Sequence, residues 1–162
     1  MSGSGAPRVS AVDGHDLEVV IVASTWHDQV MNGLIAGARR ALDEYGAGHR
    51  LVRAVGSFEL PLVAQAALRT GADAVVALGV VIRGGTPHFD YVCRAATDGL
   101  LRVGLGAGAP VGFGLLTCDD EEQALDRAGL PGSHEDKGYE AAQAAVSSVL
   151  TLRSLAGQVQ ER

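Results

Sequence analysis

The chain alternates between short apolar runs and longer stretches in which apolar residues return every three or four positions. "LEVVIVAS" at 17–24 is almost continuously apolar, the pattern of a strand covered on both faces. From Trp26 to Tyr45, residues Val30, Leu34, Ile35, Ala38 and Leu42 recur at helical spacing, and Gly46 stands where such a helix stops. "HRLVRAV" at 49–55 alternates as a less buried edge strand does. "ELPLVAQAALRTG" at 59–71 predicts a helix with proline in its first turn and glycine at its end. "DAVVALGVVI" at 73–82 is the most apolar run and predicts a central strand. Thr86 and Pro87 then read as N-cap and first residue of a long helix reaching about Leu105. "PVGFGLLT" at 110–117 predicts a fourth strand whose glycines admit a close neighbour. Asp120 with Gln123 reads as a capping box for a short helix to Leu130, and a last helix runs from about Asp136 to near Ala156. The order β-α-β-α-β-α-β-α-α implies a parallel sheet with helices on both faces and right-handed crossovers, in one doubly wound α/β domain.

Composition narrows the classes. A chain of 162 residues fits one domain that buries a core without a disulfide or metal. Cys93 and Cys118 stand in apolar runs, with no CxxC pair and no histidine at ligand spacing. They read as reduced thiols rather than a staple or a metal site. A formal net charge of -6, no dense basic patch and 4% aromatic residues argue against nucleic acid as a partner. "MSGSGAPRVSAVDG" lacks the apolar stretch of a signal peptide, and no run approaches a membrane span. The expectation is a soluble cytoplasmic protein, its first residues (1–14) a flexible arm and 15–162 a single domain.

In such folds ligands bind outside the carboxyl ends of the strands. Here those ends hold Ser24 to His27, Gly56 to Glu59, Arg83 to His88 and Thr117 to Asp120. Gly84-Gly85-Thr86 ahead of a helix is either an anion cradle of backbone N–H groups or simply a tight turn. It is neither a Walker loop nor a GxGxxG fingerprint. His88, in the first turn, is placed by the helix dipole to be a neutral ring that relays a proton, or else bonds a nearby carbonyl. Trp26, the only tryptophan, suits stacking on a planar ligand or a lid over the first helix. Glu59 suits hydroxyl binding or a helix N-terminus, and Arg127 and Lys137 are ordinary surface charges unless drawn to a site. His15, His27, His49 and His134 show no metal spacing, and no nucleophilic triad emerges.

The segments "GSFELP" at 56–61, "ALGVVIRGGTPHFDYV" at 77–92, "EEQALDRAG" at 121–129 and "DKG" at 136–138 resemble those of the lumazine synthases (6,7-dimethyl-8-ribityllumazine synthases), and the resemblance spans about Leu17 to Leu152. It implies a three-layer α/β/α domain with a four-stranded parallel sheet, flavodoxin-like. It implies condensation of 5-amino-6-(D-ribitylamino)uracil with 3,4-dihydroxy-2-butanone 4-phosphate, with no metal or cofactor. By the same resemblance Trp26 stacks on the pyrimidine, and Ser57, Phe58 and Glu59 hold the ribityl chain. Val80, Val81 and Ile82 contact the pyrimidine through backbone groups, and Phe113 also touches it. Gly85 and Thr86 bind the phosphate, Arg127 is its cationic partner, His88 transfers protons and Lys137 lies nearby. Gly85 stands where relatives often carry a larger residue, which leaves a backbone contact intact.

The family's subunits form pentamers with active sites between neighbours. Trp26, Glu59 and His88 are then expected from one chain, Phe113 and Arg127 from the next, and the N-terminal segment as a strand added to a neighbour's sheet. "LPGSHED" before Lys137 looks longer than in shell-forming relatives, which favours a free pentamer over an icosahedral particle. Two rival readings are a flavin-holding protein without turnover and a flavodoxin-like electron carrier. The first needs no phosphate-leaving site. The second places its phosphate loop after the first strand rather than the third.

Overall fold

The computed structural model describes residues 12–160. Four parallel strands, β1 (Glu18–Ser24), β2 (Gly48–Ala54), β3 (Ala74–Ile82) and β4 (Val111–Cys118), form one sheet in the order β2-β1-β3-β4. Helices α1 (Asp28–Glu44), α2 (Leu60–Arg69), α3 (His88–Ala107), α4 (Glu121–Asp126) and α5 (Lys137–Gln160) cover it, and a 3-10 turn at Ser57–Glu59 precedes α2. This is the expected single α/β/α domain, with β2 at an edge and β3 inside.

The strands read as continuously apolar because each feeds two cores. Val19, Ile21 and Ala23 of β1 pack with α1 and α5, whereas Val20 and Val22 pack with α2 and α3. In β3, Val76, Leu78 and Val80 join the first core, and Val75 and Ala77 the second. The β4 glycines serve close approach, as expected. A Cβ on Gly112 would collide with the Ala141 carbonyl oxygen of α5, and one on Gly114 with the Leu78 side chain.

Three boundaries differ from expectation. Helix α3 begins at His88, not at Thr86-Pro87. Pro87 itself occupies the cap (φ -63°, ψ -4°), and its carbonyl accepts from the Asp90 N–H at 3.1 Å. A residue before proline is pushed out of the helical region, so Thr86 does not lead directly into the first turn. Helix α4 stops at Asp126 rather than Leu130, because the chain folds back at Gly129 (φ 69°) into a short antiparallel ribbon with Ala128 opposite Asp136. Gly129 N–H donates to Glu135 O at 3.0 Å, and Lys137 N–H to Arg127 O at 3.0 Å. Helix α5 reaches Gln160, beyond Ala156.

Of the expected arm, Val12 packs on the first core and Gly14 N–H bonds Tyr45 O at 2.7 Å; residues 1–11 lie outside the described residues. Among the described residues no helix is long and apolar enough to cross a membrane, and no cluster of three or more His, Cys, Asp or Glu is arranged for a metal.

Candidate active site

Strand β1 leads into α1 on one face of the sheet, and its neighbour β3 leads into α3 on the other. A crevice opens between two such strand ends where the connections diverge. The register widens it. β1 accompanies β3 only to Ala23↔Leu78, while β4 accompanies it to Ile82↔Cys118. The β1-facing backbone edge of Val80, Val81 and Ile82 therefore borders the crevice rather than another strand. One of its carbonyls, Val80 O, accepts from the Ser57 hydroxyl at 3.3 Å.

On the β1–β2 side, Trp26 is 63% exposed and precedes His27, which caps α1 in the left-handed region (φ 59°). Such a conformation in a non-glycine residue costs energy that packing must hold in place. The Thr25 hydroxyl ties this turn to the end of β2 through Val55 O at 2.7 Å. A Cβ on Gly56 would lie 3.1 Å from Glu59 Oε2 and 3.5 Å from Trp26 Nε1, so the indole N–H and the carboxylate converge over that glycine. Glu59 makes no side-chain cap to α2, which leaves its carboxylate to the crevice. Phe58 is exposed beside it, while Ser57 is buried and uses its hydroxyl on β3.

On the β3 side, Gly84 and Gly85 have no left-handed backbone, and a Cβ on either would meet nothing within 4 Å. Neither backbone strain nor packing within the chain demands glycine there. The turn, exposed Thr86 and exposed His88 at the start of α3 form an open face at the positive end of a 20-residue helix. Arg83 precedes this turn, its Nε 2.8 Å from Asp119 Oδ1 and its guanidinium 4.1 Å from the Phe89 ring centroid.

The remaining expected residues lie elsewhere. Arg127 caps the C-terminus of α4 beyond the end of β4, half-buried, its Nη1 donating to Gln123 O at 2.9 Å. Lys137 is nearly buried at the start of α5, paired with Glu135 and with Glu140 (2.7 Å). Burial opposes its charge, but the two carboxylates hold it above the ordinary lysine value. Phe113 sits opposite Ala77 in β4, well before the strand's carboxyl end. It lines an apolar groove of about 810 Å³ along the open β4 edge, with Leu101, Leu105, Val111 and Leu152. One chain thus gathers Trp26, Ser57, Phe58, Glu59, Val80, Val81, Ile82, Gly85, Thr86 and His88 at the strand ends, and sets Phe113 on the β4 edge, Arg127 at the end of α4 and Lys137 at the start of α5.

Sequence reasoning missed the Thr25 tie and the carboxylates Asp90 and Asp119 that meet Arg83. Their only signal was position, immediately after a helix start or a strand end. Burial raises the thiol pKa of Cys118, partly offset by Arg127, and likewise that of Cys93, so both stay protonated and weakly nucleophilic.

A parallel α/β domain that sets an aromatic ring and a carboxylate across a switch-point crevice from a glycine turn and a histidine belongs to the class of small-molecule enzymes built at strand ends. The chain belongs to the 6,7-dimethyl-8-ribityllumazine synthase family, which matches it over residues 16–153. A 6,7-dimethyl-8-ribityllumazine synthase of Leifsonia xyli subsp. xyli is 63% identical over 158 residues, covering 97% of this chain and 100% of the relative. One from a Nocardioides strain is 64% identical over 156 residues (96% and 97%), and one from Streptomyces coelicolor is 61% identical over 156 residues (96% and 97%). Enzymes of this family are transferases of riboflavin biosynthesis.

Proposed function

We propose that this chain condenses 5-amino-6-(D-ribitylamino)uracil with 3,4-dihydroxy-2-butanone 4-phosphate, releasing phosphate and water and closing the lumazine ring, with no metal or cofactor. The observation that carries this reading is the two-sided crevice of a family member. Trp26, Glu59 and the edge of Val80–Ile82 that no strand pairs suit a planar, hydroxylated pyrimidine. The open Gly84–Gly85–Thr86 turn at a helix N-terminus suits a phosphate.

The pyrimidine's amine attacks the butanone carbonyl. The carbinolamine then loses water to give an imine, and His88 moves the protons. Loss of the proton on the carbon beside the imine expels the phosphate as a dianion, stabilised by backbone N–H groups and an arginine. The resulting enol becomes a ketone, which the ribitylamino nitrogen attacks, losing a second water to close the ring. Ser57 acts by holding the 57–59 turn against β3, with Phe58 flanking the ribityl chain. Much of the acceleration comes from holding two reactive molecules together.

Phe113, Arg127 and Lys137 reach a crevice only if a neighbouring chain brings them. Five chains in a ring do so, with residues 15–162 forming each subunit's domain. The exposed β4 edge and its apolar groove support that arrangement. The seven-residue "LPGSHED" connection favours a free pentamer. The formal net charge of -6 fits a cytoplasmic enzyme that needs neither nucleic acid nor membrane.

Mixing the purified protein with both substrates tests the reading: fluorescent lumazine forms at a rate well above the uncatalysed reaction, with one phosphate released per ring closed. A yellow protein that binds flavin but leaves the rate unchanged overturns it in favour of a flavin store.

A further inference from the structure

Arg83 stands between the end of β3 and the glycine turn, and the family reading gives it no role. Its backbone N–H extends the sheet by bonding Cys118 O at 2.9 Å. Its guanidinium meets three groups that bracket the turn. Nε is 2.8 Å from Asp119 Oδ1 at the end of β4, and Nη1 is 3.4 Å from Asp90 Oδ1 in the first turn of α3. The Phe89 ring, itself buried, lies 4.1 Å beneath it. Residues 84–88 thus run as an exposed span between Arg83 and Phe89–Asp90, both met by its side chain. Nothing packs within 4 Å of where a Cβ would stand on Gly84 or Gly85, so that face of the turn stands open.

Asp119 is fixed in turn. Its N–H donates to Gln123 Oε1 at 3.0 Å, and the Gln123 carbonyl accepts from Arg127 at 2.9 Å. The side chains of Arg83, Asp90 and Asp119 are 46%, 64% and 66% exposed, and ion pairs that open to water add little to global stability. Their effect is therefore local. A planar guanidinium can bond one carboxylate, approach a second and stack on a ring at once, which an ammonium cannot.

We propose that Arg83 is a positioning residue. By spanning Asp119 and Asp90 over Phe89, it holds the Gly84–Thr86 turn and His88 in the geometry that receives the phosphate of the butanone substrate, without touching that substrate. This rests on the function proposed above and deepens it.

Steady-state kinetics of R83M, R83K, D119N, D90N and the double variant R83M/D119N test it, with KM for each substrate and Tm recorded for all. R83M is expected to raise KM for the butanone phosphate about tenfold, since small misplacements at a site are costly, and to leave KM for the pyrimidine within about twofold. Tm is expected to stay within a few degrees of the parent. R83K does not rescue. D119N reproduces most of the loss, and the double variant is no worse than R83M, as expected of residues acting as one unit. Equal changes in both KM values overturn the proposal, as does a neutral D119N beside a damaged R83M, which means direct contact with phosphate. If R83M does not fold, D119N and D90N decide by the same split. A parent protein that makes no lumazine overturns the underlying function. An active parent with a kinetically silent R83M overturns only the role of Arg83.

Discussion

His88 carries the proton-transfer role in the proposed reaction, and its position limits how much it contributes. It is the first residue of α3 and is exposed, while the proposed binding is spread over Trp26, Glu59, the β3 backbone and the glycine turn. Positioned acid–base groups are worth about 10²–10⁴-fold, and proximity supplies much of the rest. His88→Ala is therefore expected to lower kcat about 10²-fold while product still forms, because the carbinolamine can exchange protons with water. KM for the pyrimidine should barely move, since Trp26 and Glu59 are untouched. Lumazine fluorescence under saturating substrates measures this, and an undiminished kcat removes His88 from the mechanism. At the same scale, Ser57 shows how a residue name misleads. Its hydroxyl is committed to Val80 O, so its part in the proposed ribityl site is to hold the turn.

The element that seats Arg127 is short and depends on its ends. Asp120 Oδ1 accepts from Gln123 N–H at 2.8 Å and caps α4, a six-residue helix whose C-cap is Arg127. The box is offset, since the Gln123 side chain returns to the N–H of Asp119 rather than to that of Asp120. Asp120→Ala is expected to cost about 1 kcal/mol, the usual worth of such a cap, in denaturant-induced unfolding. It should also weaken the butanone phosphate more than the pyrimidine, because Arg127 loses its seat; equal weakening of both would detach α4 from the phosphate. Strands β1 and β3 and the apolar face of α1 were legible because their patterns follow from local burial on a regular period. The β4 glycines were legible as close-approach positions, though not what approached. The end of α4 was not legible. The fold-back depends on Asp136 lying where a Cβ on Gly37 or Gly129 would stand, a contact across 99 and 7 positions that no local pattern records. Arg83 was opaque for the same reason, since its closest partner Asp119 is 36 residues away. The crevice itself was legible from the strand ends, but the single-chain pattern gave Phe113 no reason to sit apart on the β4 edge.

At the scale of the whole molecule, that edge is the feature left unexplained by one chain. β4 carries no strand on its outer side among the described residues, so a row of backbone donors and acceptors stands open. Beside it Leu101, Leu105 and Phe113 are 62%, 75% and 48% exposed around the groove, a contiguous apolar surface of the kind that marks an interface. In the proposed pentamer a head-to-tail contact closing into a ring would bring the arginine to the crevice and cover the phenylalanine at once. Analytical ultracentrifugation is expected to show one species of five 16.6 kDa chains, about 83 kDa, rather than a particle near a megadalton. Phe113→Asp places a carboxylate in the groove, where burial without a partner is costly. That variant should sediment as smaller species, keep its far-UV circular dichroism and lose lumazine formation. Weakened assembly with unchanged activity per chain would show that the site is complete within one subunit. A variant that remains near 83 kDa and active would mean that the β4 edge is not where neighbours meet.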